Sequence, residues 1–140
     1  MVHALEELWR VLTPDGRLID LRPRPANWPL EIVANGRFTR VGNTDNEPFL
    51  EDDSAAEAAI QGVALAGRFA LEEKTSFDCL TYWDTLDDML TYYRESPRRP
   101  PMFVPDDVLA KAQSVEAAAD ETQVCIRYTL GLAIYQKIVG

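Results

Sequence analysis

The chain has 140 residues, 46% of them hydrophobic, and its 14 basic and 23 acidic residues give a net charge of −9. That length and apolar content suit one domain with a proper core and exclude a disordered chain. The acidic balance argues against nucleic acid and anionic membrane as partners, because neutralising phosphates needs clustered Lys and Arg.

Leu5, Leu8, Trp9 and Leu12 fall at helical spacing with Glu6, Glu7 and Arg10 between them. This predicts an amphipathic helix, stopped by the turn residues Thr13-Pro14-Asp15-Gly16. Arg17 to Leu21 follows as a short strand whose near-continuous apolar character predicts cover on both faces. Pro23, Pro25 and Pro29 then break regular structure. Leu30 to Val33 and Phe38 to Val41 flank Asn35-Gly36, the strongest short-range hairpin signal. An acidic stretch from Glu47 to Asp53 leads to Ser54, the expected N-cap of an alanine-rich helix from Ala55 to Ala66 that ends at Gly67.

Arg68 to Trp83 reads as a long strand with Phe69, Leu71, Phe77 and Cys79 on one register and a bend or bulge near Glu73 and Thr75. Thr85 and Asp88 resemble a capping box for a helix carrying Leu86, Met89, Leu90 and Tyr93. Pro97 to Pro105 is a loop, and Asp106 to Ala119 a helix with Val108, Ala112 and Val115 inward. Val124, Ile126, Tyr128, Leu130, Leu132 and Ile134 alternate without interruption and predict a final strand. There is no internal repeat, and residues 1–140 read as a single α/β domain. No apolar run approaches the roughly 18 residues of a membrane span. Met1 to Glu7 lacks the basic flank and apolar stretch of a signal peptide, so a cytoplasmic location is expected.

Residues capable of chemistry are few. Cys79 and Cys125 have no CxxC spacing and His3 is the single histidine, which excludes a structural zinc site. Both thiols are expected to be reduced and buried. Arg94, Arg98 and Arg99, among prolines, read as a solvated turn rather than an anion site. Asp20 could be a catalytic carboxylate but has no titratable neighbour adjacent in sequence, so an edge or structural role is favoured. Trp9, Trp28, Trp83 and Tyr82 read as core aromatics rather than a pocket lining, and Glu72-Glu73 and Asp87-Asp88 as solvated charges. His3 lacks an activating partner, which leaves no Ser/His/Asp arrangement. No catalytic, cofactor-binding or metal-ligating residue is assigned.

The run Glu7-Leu8-Trp9-Arg10-Val11-Leu12-Thr13-Pro14-Asp15-Gly16-Arg17-Leu18-Ile19 resembles class I S-adenosylmethionine-dependent methyltransferases. In that family a helix ending in Arg-Val-Leu and a Pro-Gly-Gly-type turn feed the fifth sheet strand; Asp15 stands here for the first Gly. The resemblance is tight over residues 4 to 21 and looser beyond, and it leaves 24–53 and 98–121 unaccounted for. It implies a partial Rossmann-like sheet made of the family's C-terminal strands, mixed parallel and antiparallel, with helices and one hairpin. It also implies an absence: the family's Gly-rich cofactor loop has no counterpart among seven scattered glycines with no GxG.

The expected function is therefore a truncated methyltransferase-like domain, non-catalytic by itself, serving assembly, regulation or partner binding. It is expected to be a homodimer through an exposed sheet edge or face. One alternative is the substrate-side half of a split methyltransferase, completed by a partner chain that carries the cofactor-binding half. The other is a small-ligand binder with an apolar pocket between the sheet and residues 84–119.

Overall fold

A computed structural model describes residues 2–95 and 103–139. In chain order the elements are α1 (Val2–Val11), β1 (Arg17–Pro23), β2 (Pro29–Ala34), β3 (Arg37–Asn43), α2 (Glu47–Leu65), β4 (Phe69–Trp83), α3 (Leu86–Glu95), α4 (Asp106–Ala117) and β5 (Thr122–Lys137). The five strands form one sheet in the order β1-β5-β2-β3, with β4 also paired to β5. The fold is α/β, as expected, but the expected mixture of parallel and antiparallel strands is not found: the sheet is antiparallel throughout. β2 and β3 are joined by a two-residue turn, which only an antiparallel pair can use, and β5 runs against both β1 and β2.

The described residues fall into two compact units. The first comprises Met1–Pro25, Leu50–Phe77 and Thr129–Gly140. Its core gathers Leu5 from α1, Val63 from α2, Phe69 from β4, and Ala133 and Tyr135 from β5, with Trp9, Leu12 and Leu18 packed against them. Leu8 of the expected stripe stays 41% exposed. The end of β5 is fastened to α1 through Trp9, whose indole N–H donates to the Ile138 carbonyl at 3.1 Å. Arg68 and Lys137 lie over that ring at 4.3 and 4.7 Å. Lys137 also donates to the Leu12 carbonyl at 2.7 Å, a cation where the helix leaves acceptors unused.

Helix α2 is longer than its alanine-rich stretch. Ser54 is not its N-cap but lies inside it, donating to the Leu50 carbonyl four residues back at 2.7 Å. Gly67 ends the helix at φ 75°, while the Gly67 and Arg68 amides donate to the Ala64 and Val63 carbonyls. That is the two-bond stop that a left-handed residue makes possible.

The second unit comprises Ala26–Phe49 and Asp78–Tyr128. Its turn has Asn35 at φ 50° and Gly36 at φ 73°, the geometry that matches strand twist in two-residue hairpins. Leu30, Ile32, Val124 and Ile126 are fully buried on one sheet face, against Leu86 and Met89 of α3 and Val108 and Ala112 of α4. Thr85 caps α3 as expected: its hydroxyl accepts the Asp88 amide at 3.1 Å and donates to the Asp88 carboxylate at 2.6 Å. Along β5 in this unit Val124 and Ile126 are buried as expected, but Cys125 between them is buried too. In the first unit the buried positions are instead Ala133 and Tyr135, and Leu130, Leu132 and Ile134 are only half-buried.

Candidate functional site

Strand β1 positions the chemistry of the first unit. It pairs with β5 in the register Ile19 to Ile134, Asp20 to Ala133 and Leu21 to Leu132. Side chains alternate along a strand, so Asp20 and Arg22 share one face and Ile19 and Leu21 the other. Cover on both faces, expected from composition, is not found: Ile19 is 64% and Leu21 55% exposed. β1 also ends the strand order, so one of its edges carries no strand among the described residues.

On the opposite face Asp20 has the partner that its sequence neighbourhood did not reveal. Arg22 Nε donates to both Asp20 carboxylate oxygens, at 3.1 and 3.0 Å, and Arg22 also donates to the Asp53 carbonyl at 3.0 Å. The two side chains are 14% and 21% exposed, so this pair is screened less than a surface one. Glu57 of α2 and Lys74 of β4 form a second pair at 3.4 Å. With Arg24, Gly131 and Tyr135 these groups line a cleft of about 40 Å³. Burial pushes the Tyr135 phenol up from its ordinary range, and the negative charges of Asp20 and Glu57 add to this against the opposing Arg22. An acid and a base two residues apart on a strand share a face, a signal that reading Asp20 as lacking an adjacent neighbour passed over. Nothing in the sequence pointed to Tyr135, which pairing across the sheet delivers.

The other candidate residues scatter. His3 is 88% exposed and 4.0 Å from Glu6. Trp28 is core, its ring 5.4 Å from that of Tyr128, and its buried indole N–H has no hydrogen-bond partner among the described residues. The Trp83 ring lies tilted against both Tyr92 and Tyr93, at 5.7 Å from each, while Tyr82 is 44% exposed. Glu72 takes two hydrogen bonds from Arg17, at 2.6 and 3.1 Å, which hold its carboxyl below the ordinary range. Asp88 serves the α3 cap and Asp87 is exposed. Arg98 and Arg99, with most of the loop around them, lie outside the described residues.

Both cysteines are free, but only Cys125 is fully buried; Cys79 is half-buried, its thiol donating to the Tyr128 hydroxyl at 3.3 Å. On the sheet face toward residues 84–119, where one alternative placed an apolar pocket, Leu86, Met89, Tyr93, Val108 and Ala112 belong to the core cluster. Among the described residues no three His, Cys, Asp or Glu side chains gather in metal-binding geometry, and no helix is long and apolar enough to cross a membrane. No protein-family model, curated protein or solved structure matches the chain.

Proposed function

We propose that this chain is a methyltransferase-like assembly module, non-catalytic by itself, that joins a second copy of itself through β1. The observation that carries the reading is an edge of β1 with no strand beside it among the described residues, next to two exposed apolar side chains, Ile19 and Leu21. Such an edge is a template for strand addition, and natural proteins cover or blunt it. Two copies of β1 related by a two-fold axis through Asp20 set Ile19 opposite the other copy's Leu21, on the same face, so one patch serves both chains. The methyltransferase-like part rests on the α1–turn–β1 signature and on the antiparallel pairing of β1 with the long final strand, the order expected in that family. The non-catalytic part rests on the lack of any GxG among the residues. The proposal places the chain in the cytoplasm, where free thiols persist, with neither nucleic acid nor membrane as partner.

Light scattering of the purified chain is the test. A dimer at tens of micromolar that Ile19→Lys converts to a folded monomer supports the reading, and a stable wild-type monomer overturns it. Calorimetry is expected to find no stoichiometric binding of S-adenosylmethionine; micromolar binding would remove the non-catalytic part.

A further inference from the structure

Two polar groups face the cleft at the end of β1 without a protein partner. Tyr135 is 7% exposed, and its phenol lies within the fields of Asp20, Arg22 and Glu57, yet no described residue hydrogen-bonds to it. Arg24 lines the same cleft, and its guanidinium makes no hydrogen bond or ion pair with any described residue. The other charges are spoken for, Asp20 by Arg22 and Glu57 by Lys74. Arg24 is therefore a surplus cation, in a chain whose net charge is −9.

A hydroxyl donor and an unused guanidinium fork both call for acceptor oxygens, and the fork fits a planar pair of them. Asp20 and Glu57, although paired, stand close enough to disfavour a doubly charged anion. A space of about 40 Å³ admits a group of only a few heavy atoms. We propose that this cleft binds a small carboxylate, held between the Arg24 guanidinium and the Tyr135 hydroxyl. The groups that would hold it lie on the face of β1 opposite Ile19 and Leu21.

The test is an amide NMR titration of the full ¹⁵N-labelled chain with sodium acetate at constant ionic strength, with parallel titrations of sodium chloride and inorganic phosphate. Acetate is expected to shift the Arg24, Gly131 and Leu132 amides saturably, with a dissociation constant on the order of millimolar, as suits so few atoms. Chloride should give no saturation, and phosphate should bind more weakly than acetate. Arg24→Gln changes an exposed side chain and should weaken acetate about tenfold while leaving the spectrum otherwise unchanged. Tyr135→Phe, which keeps the buried ring, should weaken it as well. Shifts linear in acetate up to about 50 mM would overturn the proposal. So would tighter binding of phosphate, or an Arg24→Gln titration that matches the wild type.

Discussion

The Tyr135 phenol ties stability to alkaline pH. Burial first, and then the charge of Asp20, raise it in the folded chain. As pH climbs past the ordinary tyrosine range, about 10, the unfolded chain loses its proton first and is favoured. The stability that Tyr135 contributes is thus fully present below that range and is lost as pH rises toward the raised folded value. Tyr135→Phe should flatten this part of the loss, read as denaturant midpoints between about pH 9 and 11. Burial likewise pushes the Cys125 thiol up, with Glu31 adding to it. A thiol reagent without denaturant should therefore modify Cys79 first and leave Cys125 until the chain unfolds. Equal rates at the two positions would contradict their difference in exposure.

Among elements, the approach of α4 to β3 depends on one missing side chain. A Cβ at Gly42 would stand 2.8 Å from one Val108 methyl carbon and closer still to the other. Gly42→Ala should cost about 1–3 kcal/mol in chemical denaturation, as overpacking does, and Val108→Ala in the same chain should recover part of it. An unchanged midpoint would mean that α4 shifts without loss. The hairpin, both amphipathic helices of the second unit and the last strand were legible because each is set by local residues: Asn35-Gly36, Thr85 with Asp88, and unbroken alternation. The start of α2 was not. Ser54 is a good cap by type, but the Asp45 carboxylate accepts the Glu47 amide at 3.0 Å and starts the helix earlier. The acidic stretch expected to lead up to the helix is its first turns.

For the whole molecule, assembly is where the apolar surface of β1 has its consequence. A two-fold contact through this edge should bury on the order of 1,000 Å² or more in total if it is stable. Ile19→Lys sets two cations beside apolar side chains at its centre, so the dimer should weaken by at least about tenfold, read as mass against concentration. Leu65→Lys is a useful control, because that side chain lies on α2 and is 89% exposed; it should leave the mass unchanged. Loss of the dimer in both variants would point to general charge rather than to the β1 edge.

The sequence by itself determined most element types, the hairpin turn and the core residues of α3 and α4, because these depend on periods of two or 3.6 residues and on short spacings. Tertiary structure alone decided three things. It made the sheet antiparallel throughout, since strand direction is a property of neighbours that lie far apart in the chain. It left one face of β1 open, since a run of Leu and Ile is written the same way whether a helix covers it or not. And it brought Tyr135, Glu57 and Lys74 to Asp20 and Arg22, because a cleft is assembled from side chains whose distance along the chain carries no record of their distance in space.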